Sequence, residues 1–273
     1  MTDLPVLTGP TLVAAHVLIG LLGLLIGSFL NVVAWRVPRR ESIVSPPSAC
    51  PQCGHALRRR DNIPVLSWLV LRGRCRDCGA PISRRYPLVE LATAVLFVLV
   101  SLRFGVEAPG VWALPAFLYL AAVGLVLTVI DIDVHRLPDV IVLPSYGVTV
   151  VLLAVASWAT GEWGSLLRAG IGGLILFLLY FLLLVVYPRG MGFGDVKLAG
   201  VLGLCLAWLG WGALVIGAFS AFLVGGAFAV GLVLAGRAGR KSGIPFGPWM
   251  VAGAAIGIAW GDTLWSAYLG LIL

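Results

Sequence analysis

The sequence predicts an all-α polytopic membrane protein: about eight transmembrane helices, with a small zinc-binding cytoplasmic domain between the first and the second. Three observations carry this. Of 273 residues, 60% are hydrophobic and only 11% charged, against roughly 25% charged in a soluble domain. Apolar runs of about 20 residues, long enough to cross the hydrocarbon core, recur along the chain. A single long polar segment interrupts them, and it holds four of the five cysteines as two CxxC pairs.

The predicted spans are Leu12–Trp35, Leu88–Phe104, Val111–Ile130, Val140–Trp158, Leu166–Tyr187, Leu198–Leu209, Gly212–Ala235 and Pro248–Leu269. The first has no basic stretch before it and is long, so it reads as a span and not as a signal peptide. The sixth is short, and its boundary with the seventh is ambiguous. Gly23/Gly27 and Gly253/Gly257 stand at GxxxG spacing. That spacing serves close helix packing or reflects small residues tolerated in lipid. Three regions result: a first helix (1–35), a cytoplasmic domain (36–87) and a membrane domain (88–273).

Orientation follows from the basic residues. With the N-terminus outside and eight crossings, only Arg103 and Arg168 of the 19 Lys and Arg fall outside. All the others, Arg189, Arg237, Arg240 and Lys241 among them, face inward. Basic loops against an anionic leaflet account for the formal net charge of +7, so the expected partner surface is membrane lipid and no nucleic acid is needed.

The cytoplasmic segment contains CPQC (Cys50, Cys53) and CRDC (Cys75, Cys78), each pair followed by glycine. Two thiolates from each tight turn can reach one ion, so the four predict a tetrahedral zinc site. Disulfides fit a reducing cytoplasm poorly. A segment this short lacks a self-sufficient core, and metal binding would supply folding energy. Four cysteines leave no open position, so the zinc is expected to be structural. His55 could replace a thiolate but reads better as a surface histidine, and Cys205 reads as packing within a span.

Two acidic groups lie at span ends on the predicted inner face. DIDVHRLPD brings Asp131, Asp133 and Asp139 after the third span, and MGFGDVKLAG brings Asp195 before the sixth. Two crossings separate them, so the chain returns to the same face. Ionisable groups at membrane depth are costly and usually functional. A carboxylate pair sharing a proton suits peptide hydrolysis. Two other readings stand beside this one. Asp195 can simply stabilise a helix N-terminus, and the acids can relay protons in a transporter with glycine-broken helices. Asp139 reads as an N-cap of the fourth span. The glycines before Asp195 superficially suggest a phosphate loop, but no strand precedes them.

GMGFGDVKLAG with VIDIDVHRLPDVIVLP resembles the membrane-embedded GxGD aspartyl proteases, specifically the type IV prepilin peptidases. GSFLNVVAWRVPRR, CPQCGH and NIPVLSWLVLRGRCRDCGAPISRRYPLVE extend the likeness over most of the chain, in the family's order. The resemblance implies an inner-membrane enzyme that removes the basic leader of prepilins or pseudopilins on the cytoplasmic side. It implies Asp195 and Asp131 as the catalytic pair, with Asp133 the competing choice. The four-cysteine segment matches the long form, which also N-methylates the new N-terminus using S-adenosylmethionine. No dinucleotide-type fingerprint marks a site for that donor. Asp61, Asp77 and Glu41 are candidates to attract a basic leader. Glu90, at the inner end of the second span, is a candidate active-site neighbour, with snorkelling to the interface the favoured reading.

Overall fold

A computed structural model describes residues 9–188, 190–236 and 245–272. Arg189, Arg237, Arg240 and Lys241, counted above among the inward charges, lie outside the described residues. Nine α-helices occur among the described residues: α1 (Gly9–Arg36), α2 (Leu66–Val70), α3 (Arg85–Phe104), α4 (Leu114–Val134), α5 (Asp139–Thr160), α6 (Trp163–Val186), α7 (Phe193–Leu209), α8 (Trp211–Leu234) and α9 (Gly247–Ile272). The all-α expectation holds. By length and composition, α1, α3, α4, α5, α6 and α8 are able to cross a membrane. The expected count of eight is therefore supported only for six. At 17 residues, α7 is about 26 Å long, and α9 is diluted by glycine, tryptophan and Asp262.

The chain forms two compact units, Met1–Val126 and Leu127–Leu273. In the first, α1 packs on α3 through its glycines. A Cβ on Gly23 would lie 2.7 Å from the Ala94 Cα, and one on Gly27 2.7 Å from the Glu90 Cα. The GxxxG spacing thus serves backbone-to-backbone approach. Between these helices the polar segment makes two small turns and α2. Trp68 lies against Gly73 and donates its indole N–H to the Ile82 carbonyl at 3.1 Å.

In the second unit α7 is the central helix, with 12 of its 17 residues buried. It packs against α5, α6, α8 and α9. A helix shielded by others on all sides needs no long lipid-facing surface, which is why it read as a short span. Glycines again set the spacing: a Cβ on Gly203 would stand 2.7 Å from the Gly172 carbonyl oxygen. Gly253 and Gly257 play the same role between α9 and α8, where a Cβ would meet the Ala221 nitrogen at 2.5 Å and the Ala213 oxygen at 2.6 Å. The last carbonyls of α7 accept from Arg168, whose Nε reaches Ala207 O at 2.6 Å and whose Nη2 reaches Trp208 O at 2.7 Å. Cys205 is fully buried, as expected of a packing residue.

Candidate active site and metal centre

Asp131 and Asp195 come from the third and the sixth of the long helices, and both lie in the second unit. Both helices are longer than the sequence suggested. Asp131 sits in the last turn of α4 and not beyond it, and Asp195 in the first turn of α7. Both carboxylates are buried, at 5% and 8% exposure. Each uses its Oδ2 to accept a backbone N–H at the start of a helix.

Gly192 donates to Asp195 at 2.9 Å, and the Asp195 N–H donates back to the Gly192 carbonyl at 3.1 Å. The Asp195 side chain supplies the N3 half of a capping box, and a backbone turn bond stands where a side chain on Gly192 would otherwise accept. Asp195 therefore does act at a helix N-terminus, and the same bonds fix where its carboxylate points. Gly247, the first residue of α9, donates to Asp131 at 3.0 Å.

Leu137 ties the two acids together. Its Cβ lies 3.0 Å from where a Gly194 side chain would begin, and its Cδ2 3.4 Å from the same point on Gly247. The phenol of Tyr180 is buried as well. Tyr180 packs with Phe222 and Phe246, ring centres 5.4 and 6.3 Å away. The pair is framed from α5. Lys197 meets Asp139 at 2.6 Å, and the Tyr146 hydroxyl donates to the Lys197 carbonyl at 2.6 Å.

Asp139 corrects one expectation. The N-cap of α5 is Pro138, and Asp139 is the first helical residue, making no cap bond. Proline's fixed φ sets the extended entry, which leaves the Asp139 carboxylate for Lys197. Asp133, two residues past Asp131, is exposed: a step of two along a helix turns it roughly 200° away. Gly247, Leu137 and Tyr180 were missed by sequence reading. The FGPW stretch opening the last helix carried a signal for Gly247, since Pro in the first turn marks a helix start and hence free N–H groups.

The cysteine segment belongs to the first unit. Cys50 and Cys75 head equivalent turns: Gly54 N–H returns to Cys50 O at 2.9 Å, and Gly79 N–H to Cys75 O at 2.9 Å. Both glycines have φ of +72°, the left-handed region that favours glycine. The four sulfurs lie within 4.8 Å of one another, all cysteines are free, and Cys50 Sγ to Cys78 Sγ is 3.8 Å. Zn–S bonds of about 2.3 Å in a tetrahedron separate sulfurs by about 3.8 Å, whereas a disulfide needs about 2.05 Å. The residues present fit a metal site with four thiolate ligands.

Backbone N–H groups of Cys53 and Gln52 lower the Cys50 thiol to about 6. Cys78 is pushed up to about 12 by desolvation and the neighbouring sulfurs, against the pull of the Ala80 N–H. Four crowded sulfurs resist shared ionisation without a cation between them. His55 is exposed, outside the cluster.

Two further expectations change. Asp61 is held by Arg76 at 2.7 Å and Asp77 meets Arg58 at 2.8 Å, so the Asp61 carboxylate is taken up by an arginine, while Asp77 and Glu41 stay exposed. Glu90 does not snorkel. It is 8% exposed and accepts the Val65 N–H at 2.7 Å, because the segment bearing α2 folds back over the N-terminal end of α3.

Comparison with known proteins agrees with this division. Residues 21–104 match the bacterial Peptidase A24 N-terminal domain, and residues 118–230, which include both aspartates, match the Type IV leader peptidase family. The chain is 40% identical to the prepilin leader peptidase/N-methyltransferase of Aeromonas salmonicida (strain A449), over 94% of each chain. It is 41% identical to that of Aeromonas hydrophila, over 92% of this chain and 93% of the relative. With the Pseudomonas aeruginosa protein of the same name it shares 38%, over 91% of each. No solved structure matches. Two buried carboxylates on a GxGD helix and an earlier helix end, beside a four-cysteine segment and full-length relatives, make this chain a member of the type IV leader peptidase family.

Proposed function

We propose that the chain cleaves the basic leader from prepilins or pseudopilins and N-methylates the residue it exposes, with Asp131 and Asp195 as the proteolytic pair. One observation carries the reading: carboxylates 64 positions apart in sequence are both buried and each aimed by a backbone N–H, and Leu137 lies against both Gly194, next to Asp195, and Gly247, whose N–H holds Asp131. Two buried like charges favour sharing a proton. The ionised carboxylate takes a proton from water as the water attacks the scissile carbonyl, and the protonated one donates to the carbonyl oxygen. Proton transfer by positioned groups contributes typically 10²–10⁴-fold.

In this reading the protein spans the bacterial inner membrane eight times, α7 and α9 included, with its N-terminus outside. The cysteine segment and both aspartates then face the cytoplasm, where a leader that stays inside is cut. Zinc, held by Cys50, Cys53, Cys75 and Cys78, would tie two distant turns into one fold. The methyl donor would be S-adenosylmethionine, whose sulfonium makes the methyl group electrophilic toward an amine.

Asp→Asn keeps size and shape but removes the shared proton. For groups acting as a unit, losing one costs nearly as much as losing both. Asp131→Asn and Asp195→Asn are each expected to abolish leader cleavage nearly completely, with no further loss in the double variant. Asp133→Asn is expected to be milder. The assay is a gel shift of a prepilin with mass spectrometry of the product N-terminus. Robust cleavage by both single variants overturns the pair. Cleavage lost in Asp133→Asn but kept in Asp131→Asn reassigns the partner. Solute movement driven by a pH gradient, with no peptide product, would make the protein a transporter.

A further inference from the structure

We propose that α2 is an interfacial anchor: its outward apolar stripe and the arginines around it bind the acidic phospholipid surface of the bilayer. Helical spacing sets the stripe. Leu66, Leu69 and Val70 stand at i, i+3 and i+4, on one face of the helix, and Ile63 precedes Leu66 by three residues. In that order they are exposed by 53, 58, 67 and 48%. Trp68 turns the other way, two residues and roughly 200° from Leu66, against Gly73 and the Ile82 carbonyl. The short helix thus gives its tryptophan to the protein and turns its aliphatic side chains away. On a helix facing water the outer side is the polar one. A contiguous exposed apolar patch marks an interaction surface.

Glu90 sets the depth of α2. Its carboxylate, 8% exposed, accepts the Val65 N–H at 2.7 Å, immediately before α2 begins. Glu90 is five residues into α3, about 7.5 Å along the axis from Arg85. That helix is long and apolar enough to cross a membrane, and the headgroup layer beside the hydrocarbon is about 5–7 Å thick. The start of α2 is therefore tied alongside the first turns of a span, at the border of headgroups and acyl chains. Leu88 and Leu91, exposed by 62 and 51%, lie at the same level of α3. The tie is an imposed one. Val65 has φ +60° and ψ −51°, and Leu66 N–H closes back on Pro64 O at 2.5 Å. This is the rare form of γ-turn, unfavourable for a β-branched residue. Such strain persists only where the surroundings impose it.

Charge around the stripe selects the kind of lipid. Arg58 and Arg76 are paired with Asp77 and Asp61. Arg59, Arg60, Arg72 and Arg74 are exposed and enter no ion pair among the described residues. Arg60 and the Asp61–Arg76 pair line the same hollow as Ile63, Leu66 and Val70, and Arg72 follows Val70 by two residues. Unpaired guanidiniums beside an apolar face match phosphate headgroups above acyl chains, as on helices that lie in a membrane surface. Each cation adds attraction to an anionic leaflet. The same arginines would repel a basic peptide leader.

The test uses the full-length protein in nanodiscs of phosphatidylcholine, with and without phosphatidylglycerol. Backbone hydrogen exchange over residues 63–74 is expected to be about ten-fold slower in the acidic discs. The difference should vanish when Arg59, Arg60, Arg72 and Arg74 are all changed to Gln. Leu66→Ser and Leu69→Ser should speed exchange in both kinds of disc. Zinc content and melting temperature identify any variant whose cysteine segment fails to fold. A benzophenone side chain in place of Leu69 gives a measurement independent of those variants and should form adducts of phospholipid mass. Wild-type exchange that ignores lipid charge overturns the proposal. So does a benzophenone at position 69 that joins an added prepilin or a second copy of the chain, and no lipid. Leader cleavage and methylation enter neither readout, so the anchor and the enzymatic reading fail separately.

Discussion

Gly247→Ala isolates the hold on Asp131, one member of the proposed catalytic pair. A Cβ at Gly247 would lie 2.8 Å from Asp131 Oδ2, roughly 0.7 Å inside a comfortable carbon–oxygen contact. The atom it meets is the end of a side chain, so the carboxylate gives way and the helices need not. Retreat by that amount stretches the Gly247 N–H bond from 3.0 Å beyond hydrogen-bonding distance. A hydrogen bond to a charged group is worth about 1.5–3 kcal/mol, so leader cleavage should fall roughly 10- to 100-fold. The melting temperature and zinc content should stay close to wild type. Gly147→Ala on α5 is the control, since its Cβ meets no heavy atom within 4 Å. The assay is kcat/KM for a purified prepilin in detergent, with the thermal midpoint measured on the same samples. If Gly247→Ala cleaves at the wild-type rate while Asp131→Asn is inactive, the N–H bond does not position Asp131 and the argument from its geometry fails.

Cys75→Ser should lower bound zinc, measured by mass spectrometry, and impair methylation more than cleavage; full occupancy in a Cys50→Ser, Cys75→Ser double variant rules the metal site out. Gly203→Ala would press a methyl onto the Gly172 carbonyl at 2.7 Å and the Gly173 Cα at 2.9 Å, backbone that cannot rotate aside, so it should destabilise the protein by about 1–3 kcal/mol, seen as a lower melting temperature. Hydrogen bonding and charge from Arg76 hold the Asp61 carboxyl below its ordinary 3.8. A lowered carboxylate stabilises the fold above its unfolded value and loses that contribution as pH falls. Asp61→Asn should therefore loosen the cysteine segment to proteolysis at neutral pH, with the difference from wild type starting to shrink below about pH 4 and vanishing only once the pH falls under the lowered folded value. Reporter fusions at Asp61, His135 and Gly190 should read cytoplasmic and those at Gly105 and Gly161 external; opposite readings at Asp61 and Gly190 would break the proposed topology.

Much of this protein was legible from local features. Apolar runs longer than any strand needs can only be helices in lipid, because hydrocarbon leaves no partner for unpaired backbone groups. Two CxxC turns ending in glycine fix their own geometry within five residues, so the metal cluster could be read before any tertiary contact was known. GxGD and the LPD block singled out Asp195 and Asp131. What stayed hidden depends on distant segments. Asp131 is aimed by an N–H 116 positions away, and nothing near DIDVHR announces it. Glu90 was misread because a helix-end glutamate in a bilayer ordinarily reaches for water; only the folded-back segment bearing Val65 gives its carboxylate a buried partner. Asp61 looked available to a leader until Arg76 was brought against it. Composition decides that a segment is helical and enters the membrane. Which carboxylate is buried, which is paired and which is aimed is set by the helix packing, because each needs a partner that local sequence does not contain.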